Sequence, residues 1–115
     1  MIYTGKSLSV SLLEDGFAEL VFDAQGSVNK FDRQTVSELD EATQALIAKG
    51  DVKGLVVRSA KPAFIVGADI TEFTGLFAMD DAEVLQWVAN TSQVFDRFED
   101  LPFPTIAAIN GFALG

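Results

Sequence analysis

The chain has 115 residues, with 17 acidic and 8 basic side chains for a net charge of −9, and it contains neither histidine nor cysteine. Disulfides, zinc–thiolate sites, thiol nucleophiles and a serine–histidine–aspartate triad are therefore excluded, and we expect no metal site. Nonspecific nucleic-acid binding needs a basic surface that so acidic a chain lacks. Acid–base chemistry is left to carboxylates, lysine, tyrosine or backbone groups.

The length suits one small domain, and no apolar run approaches the ~18–20 residues of a membrane span. Apolar residues make up 49% of the chain, which is generous for an independent monomer of this size. We therefore expect some apolar surface to be buried against something else. The first residues lack the pattern of a secretory signal, so we expect a cytoplasmic protein with a genuine N-terminus.

The first third of the chain predicts two strands followed by a helix. Residues 7–12 and 17–22 alternate between polar and apolar side chains around an acidic, glycine-containing turn, which indicates a β-hairpin. Residues 23–30 carry turn residues and predict a loop. Asp32 is a suitable N-cap for a helix of about four turns that would end at Lys49-Gly50.

The rest of the chain predicts two further strands and one helix. Residues 54–59 are β-branched and nearly all apolar, which is typical of a strand covered on both faces. Asp80 begins a second helical pattern that Pro102 and Pro104 end, with an apolar face that includes Val88. Residues 105–109 predict a last strand. The order β-β-α-β-loop-α-β favours an α/β fold built from crossover units.

The C-terminal residues are unusually apolar. From residue 106 to residue 115 only Asn110 is strongly polar. Natural termini usually lie exposed, so this end resembles a cut through a core. An exposed apolar strand there predicts self-association.

The basic residues are concentrated in one stretch. Residues 30–61 carry six basic and five acidic side chains, whereas the remaining chain carries two basic and twelve acidic ones. An anionic group such as a nucleotide phosphate would be tolerated best near Lys30, Arg58 and Lys61, because the rest of the chain repels anions. The alternative is that these are ordinary solvated side chains.

The segment around Gly67-Ala68-Asp69 is the most suggestive local motif. Small residues after an apolar strand let a backbone approach a ligand, and free N–H groups there could stabilise an oxyanion. The alternative is a purely structural turn that Asp69 caps. Phe73 and Phe77 are candidates for an acyl pocket, whereas Phe95 and Phe98 have the spacing of a helix core. Phosphate-binding glycine arrays are absent from the sequence, which leaves a Rossmann-type oxidoreductase unsupported.

Three segments together resemble the enoyl-CoA hydratase/isomerase (crotonase) superfamily. They are the loop SVNKFD at 27–32, the turn FIVGADITEF at 64–73 and the segment PTIAAINGFALG at 104–115. Within that superfamily they look most like the N-terminus of the α subunits of bacterial fatty-acid oxidation complexes. The resemblance implies an α/β, crotonase-like spiral of β-β-α turns, of which residues 1–115 would be the N-terminal portion only.

The resemblance also implies a set of site residues. The backbone N–H of Ala68 would be one oxyanion-hole donor for a thioester enolate. The positions implied to contact coenzyme A or substrate are Val28, Lys30, Val66, Gly67, Ala68, Asp69 and Ile70, with Lys61 and Phe73 as further candidates. Family members continue past the equivalent of Gly115 into the second donor and two catalytic glutamates. The chain is therefore expected to be truncated before those glutamates and to be inactive alone.

The function implied for the parent protein is β-oxidation chemistry on acyl-CoA thioesters. It would hydrate trans-2-enoyl-CoA to 3-hydroxyacyl-CoA without a cofactor, and would also act as an enoyl-CoA isomerase. A downstream NAD-dependent 3-hydroxyacyl-CoA dehydrogenase and a partner thiolase subunit would complete the complex. The alternatives are another crotonase-family reaction, such as isomerisation, thioester hydrolysis or decarboxylation, or a non-catalytic module for coenzyme A binding or assembly.

Overall fold

The computed structural model describes residues 1–24, 29, 32–61 and 80–108. Within these ranges five strands form one sheet, accompanied by two helices. The elements are β1 (Tyr3–Thr4), β2 (Leu8–Leu12), β3 (Phe17–Phe22), α1 (Arg33–Lys49), β4 (Gly54–Ser59), α2 (Asp81–Glu99) and β5 (Thr105–Ala107). The predicted α/β organisation is confirmed, and β1 is an element that the sequence pattern did not predict.

The sheet changes from antiparallel to parallel in its middle. The strands lie in chain order, β1 to β5. The pairs β1–β2 and β2–β3 are antiparallel, whereas β3–β4 and β4–β5 are parallel. A parallel pair needs a connection that returns the chain to the starting edge, and α1 forms part of the one between β3 and β4. The predicted hairpin and crossover are both confirmed.

The core lies between one face of the sheet and α1. Alternate residues of the central strands are buried, as period-two geometry requires. The buried apolar set comprises Leu8 and Val10 of β2, Ala18, Leu20 and Phe22 of β3, Leu55 and Val57 of β4, and Leu39, Ala42 and Leu46 of α1, with Val94 and Leu101 at its margin. Phe95 and Phe98 pack against this set, which confirms their predicted core role.

Both predicted helix starts are confirmed by their caps. The Asp32 carboxylate accepts the backbone N–H of Thr35 at 2.8 Å, and the Asp80 carboxylate accepts that of Glu83 at 2.8 Å. Each bond satisfies an N–H that the first helical turn leaves without an intrahelical partner. At the other end of α1, Gly50 has φ 68°, a conformation that glycine adopts without strain.

One expectation about burial is wrong for the described residues. β4 is fully buried on one face only, because Val56 is half-buried and Arg58 is exposed on the other. On α2 the apolar face is only partly covered: Leu85 and Val88 are 70% and 47% exposed. All three residues of β5 are likewise exposed. The periodicity predicted which faces are apolar, but not how much of them the chain itself covers.

No helix in the described ranges is long and apolar enough to cross a membrane.

A buried carboxylate joins α1 to the start of β2. Glu38 is 6% exposed, and its Oε1 accepts the backbone N–H groups of Ser7 at 2.8 Å and Leu8 at 3.3 Å. A Cβ at Gly5 would collide with that same carboxylate, so the approach of the chain requires glycine there. This contact fixes the N-terminal strands over the helix.

Substitution of Leu20 tests this description of the core. Leu20 is fully buried on β3, between Val10 of β2 and Val57 of β4. We expect Leu20→Ala to lower the free energy of unfolding by about 2–5 kcal/mol, because the substitution removes buried methyl groups and leaves a cavity. The same change at exposed Leu85 should cost under about 1 kcal/mol. Urea unfolding followed by circular dichroism measures both, and equal losses would contradict this description of the core.

Tyr3 gives a prediction about pH. It is the single tyrosine of the chain, and its hydroxyl donates to Glu41 Oε1 at 3.2 Å. Burial, then the charges of Glu41 and Glu38, then that hydrogen bond raise the pKa of Tyr3 to about 12 from 10.0. The neutral form is therefore favoured by folding. Its contribution to stability is complete below pH 10 and is lost as the pH rises from 10 to about 12.

Spectrophotometric titration of the phenolate measures this pKa directly. We expect a midpoint near 12 in the wild type. In Glu41→Gln the midpoint should be lower, because the charge beside the hydroxyl is gone. Glu14→Gln, which removes a carboxylate in the hairpin turn, serves as the control and should leave the midpoint unchanged. A midpoint near 10 in a folded wild-type chain would refute the predicted shift.

Candidate functional site

Most of the predicted site positions lie outside the described residues. These are Val28, Lys30, Val66, Gly67, Ala68, Asp69, Ile70 and Phe73, together with Phe77. Besides Arg58, two relevant positions are described: Lys61, which was predicted with Arg58 as a contact for anionic groups, and Asn29, which belongs to the loop that carries the family resemblance. The geometry of the candidate site is therefore built from these two residues and their neighbours.

The two strands that lead to these residues end side by side. Phe22 at the end of β3 lies opposite Ser59 at the end of β4, and the backbone N–H of Ala60 donates to Phe22 O at 2.9 Å. The segments that follow the two strands consequently leave from one edge of the sheet, by which we mean the edge formed by the carboxyl ends of β3 and β4. In open α/β sheets, the carboxyl ends of parallel strands are where ligands characteristically bind.

Asn29 is buried at this edge and uses both ends of its amide. It is 1% exposed. Its Oδ1 accepts the backbone N–H of Ala24 at 3.0 Å, and its Nδ2 donates to Phe22 O at 3.4 Å and to Ser59 Oγ at 2.6 Å. The side chain thus closes its own loop and also reaches the neighbouring strand.

The hydroxyl of Ser59 connects that loop to the segment after β4. Besides the bond from Asn29, its Oγ accepts the backbone N–H of Lys61 at 2.9 Å and lies 3.5 Å from Lys61 O, to which it can donate. A hydroxyl has one hydrogen to donate and two lone pairs to accept, so these contacts satisfy it completely. Ser59 was not among the predicted site residues. A polar residue at the carboxyl end of an otherwise apolar parallel strand is the signal that could have found it.

The charge of Lys61 is held at the same edge. Its Nζ lies 3.0 Å from Asp23 Oδ1, and the Lys61 side chain is 18% exposed whereas that of Asp23 is 60% exposed. An exposed carboxylate gives up such a partner at little cost, because surface ion pairs contribute only about 0–1 kcal/mol. Lys61 thus places a cation at the carboxyl ends of β3 and β4.

Arg58 does not join this group. Its Nε lies 3.1 Å from Glu19 Oε2 of the neighbouring strand. Because side chains alternate along a strand, Arg58 lies on the opposite face of β4 from Ser59. Of the two described cations that were predicted as phosphate contacts, only Lys61 is at the strand ends.

A cleft of about 360 Å³ opens beside the loop that follows β3. It is lined by Lys6, Ser7, Ala24, Asp32 and Gln34. Lys6 and Ser7 directly precede β2, and Asp32 and Gln34 belong to the N-terminus of α1. The backbone N–H of Asp23 donates to Ser7 O at 2.7 Å, which joins the end of β3 to the start of β2. No group of three or more carboxylates in the described ranges is arranged to hold a metal ion. What this edge offers is polar and cationic groups around buried hydrogen bonds.

The family model for enoyl-CoA hydratase/isomerase matches residues 13–115. The chain belongs to the enoyl-CoA hydratase/isomerase, or crotonase, family. The predicted crotonase fold is confirmed by similarity to solved structures of an enoyl-CoA hydratase from Shewanella pealeana (TM-score 0.82, 25% identity) and one from Bacillus anthracis (TM-score 0.78, 25% identity).

A third similar structure is an enoyl-CoA hydratase/isomerase from Xanthobacter autotrophicus, with a TM-score of 0.79 and 26% identity. The three matches cover 91%, 95% and 94% of this chain, in the order Shewanella, Bacillus and Xanthobacter. They cover 39%, 42% and 40% of the solved chains. The chain therefore spans about two fifths of the length of these relatives.

Asn29 and Asp23 should differ sharply in their effect on stability. Asn29→Ala removes the hydrogen bonds of a buried amide with Ala24, Phe22 and Ser59, and we expect it to lower the free energy of unfolding by about 1–3 kcal/mol. Asp23→Asn removes only the exposed end of an ion pair and should cost under about 1 kcal/mol. Chemical denaturation of both variants tests the difference. A larger loss in Asp23→Asn would mean that the ion pair, not the amide, holds this edge together.

Proposed function

We propose that these 115 residues are the part of an enoyl-CoA hydratase that holds the coenzyme A portion of its substrate. The observation that carries the proposal is the match of the hydratase/isomerase family model to nearly the whole chain. The Lys61 cation at the carboxyl ends of β3 and β4 supports it, because a cation at that edge is suited to a phosphorylated ligand. The buried Asn29–Ser59 contacts hold the segment that carries Lys61.

The reaction proposed for the parent protein is the addition of water to trans-2-enoyl-CoA. Water adds its oxygen to C3 and a proton reaches C2, so 3-hydroxyacyl-CoA forms without an oxidant or a cofactor. The negative charge that develops on the thioester oxygen needs hydrogen-bond donors aimed at it. The backbone N–H of Ala68 is proposed as one donor, in a segment that also includes Val66, Gly67 and Ile70. Val28 and Lys30 are proposed to line the coenzyme A channel.

The wider role proposed for the parent is cytoplasmic fatty-acid β-oxidation. An isomerase activity on enoyl-CoA, an NAD-dependent 3-hydroxyacyl-CoA dehydrogenase and a thiolase partner belong to that proposal. They derive from the resemblance of the 27–32, 64–73 and 104–115 segments to α subunits of the oxidation complex. The exposed residues of β5, with Ile106 60% exposed, support the proposed self-association of the isolated chain.

Residues 1–115 alone are proposed to bind without turning substrate over. The resemblance puts the second oxyanion donor and both glutamates after Gly115. Loss of one oxyanion donor lowers rates by ~10²–10³, and loss of each acid–base group by a further ~10²–10⁴. The matched relatives are more than twice as long as this chain, which agrees with a site completed by further residues.

Two assays on the 115-residue chain test the proposal. Hydration of crotonyl-CoA should not exceed that of a heat-denatured control, whereas calorimetric titration with coenzyme A should give saturable binding. Turnover well above the control would refute the inactivity. Absence of binding by a folded chain would refute the coenzyme A site.

Matched lysine variants locate the binding. Lys61→Gln should weaken coenzyme A binding by up to about fivefold, as expected from the loss of one partly screened ion pair. Lys49→Gln removes the same charge at the C-terminus of α1, away from the carboxyl ends of β3 and β4, and should leave the affinity unchanged. Equal effects of the two substitutions would indicate a general charge effect and not a contact at the strand ends.

The second candidate is a different crotonase-family reaction on an acyl-CoA, such as isomerisation, thioester hydrolysis or decarboxylation. Membership of the family favours it equally, because the oxyanion turn serves all of these reactions. A parent protein that consumes acyl-CoA thioesters without hydrating crotonyl-CoA would identify this alternative. Binding without any turnover in the parent would identify an assembly or coenzyme A-binding module.

A further inference from the structure

A short series of hydrogen bonds joins the two segments that leave the sheet at the carboxyl ends of β3 and β4. The backbone N–H of Ala24 donates to Asn29 Oδ1 at 3.0 Å, Asn29 Nδ2 donates to Ser59 Oγ at 2.6 Å, and the backbone N–H of Lys61 donates to Ser59 Oγ at 2.9 Å. We call these three bonds the Asn29–Ser59 tie. It connects a backbone amide after β3 to a backbone amide after β4 through two side chains.

The tie is buried, so its bonds cannot be exchanged cheaply for water. Asn29 is 1% exposed and Ser59 is 6% exposed. Removal of one side chain takes away a buried hydrogen bond that water replaces poorly, which is the costly way to lose a hydrogen bond. The two side chains therefore adopt one arrangement together, and a change in one is transmitted to the other.

The tie reaches further than the loop of Asn29 requires. The contacts of Asn29 with Ala24 and Phe22 lie within its own segment and suffice to close that loop. The contact with Ser59 spans 30 residues of sequence and ends beside Lys61. Since Ser59 Oγ holds the backbone of Lys61, the amide of Asn29 acts on the position of a cation that it does not touch.

We propose that Asn29 is a positioning residue: through Ser59 it holds the exits of β3 and β4, and with them Lys61, in the arrangement on which coenzyme A binding depends. The dependence on coenzyme A rests on the proposed function. The mechanical part of the proposal, that Asn29 orders the Lys61 backbone, does not. The two parts can be tested on the same variants with two different measurements.

Hydrogen exchange in the ligand-free chain tests the mechanical part. In Asn29→Asp the carboxylate can still accept the N–H of Ala24 but can no longer donate to Ser59. We expect the Ala24 amide to stay protected while exchange at the Lys61 amide accelerates about tenfold, which corresponds to loss of one hydrogen bond. Asn90→Ala, on exposed α2, is the control and should change neither amide. An unchanged Lys61 amide in Asn29→Asp overturns the proposal.

Calorimetric titration with coenzyme A tests whether coenzyme A binding depends on the Asn29–Ser59 tie. Asn29→Ala and Ser59→Ala should each weaken binding about tenfold, and the double variant should bind no more weakly than either single variant, because both substitutions break one tie. Additive losses, or wild-type affinity in a folded Asn29→Ala chain, overturn the dependence. If Asn29→Ala does not fold, Asn29→Asp, which cannot donate to Ser59, provides the same comparison against wild type.

Failure of the proposed coenzyme A binding can be distinguished from failure of the proposed positioning role of Asn29. A folded wild-type chain without measurable coenzyme A binding refutes the proposed function and the dependence on it, while the exchange result still decides the mechanical part. Wild-type binding together with unweakened variants refutes the positioning role and leaves the coenzyme A site standing. Supporting results require both accelerated exchange at Lys61 and weaker, non-additive coenzyme A binding.

Discussion

The parallel pairing of β3 with β4 is the constraint on which the rest of the structure depends. Parallel neighbours need a connection that returns to the starting edge of the sheet, and α1 takes up most of that path. Its apolar face then covers the sheet and closes the core. The same pairing places Phe22 opposite Ser59, so two segments distant in sequence begin at one place. The candidate site lies where these two segments begin.

Much of the fold could be predicted because its signals are local. Alternation revealed the hairpin strands, and the carboxylates of Asp32 and Asp80 marked both helix starts. β1 escaped prediction because a two-residue strand has no periodicity; only its pairing with β2 defines it. The exposure of Leu85 and Val88 on α2 could not be predicted, since periodicity identifies an apolar face without saying what covers it.

The site was less predictable, because its contacts join residues far apart in the sequence. The resemblance pointed to the loop of Asn29 and the charge distribution pointed to Lys61, but neither indicated that Ser59 lies between them. Arg58 looked like an equivalent cation until the alternation of β4 put it on the opposite face, paired with Glu19. Tertiary pairing therefore decided which cation reaches the strand ends.

The strand order also has a consequence for how the sheet can be assembled. Among the described strands, each from β2 onward pairs with the strand that precedes it in the chain, and none inserts between two earlier ones. The hairpin of β2 and β3 can form from a short stretch of newly made chain, which favours rapid closure. β4 can then pair with the free side of β3, and β5 with the free side of β4. These five strands are thus suited to adding one by one during synthesis on the ribosome, with no earlier pairing among them to undo.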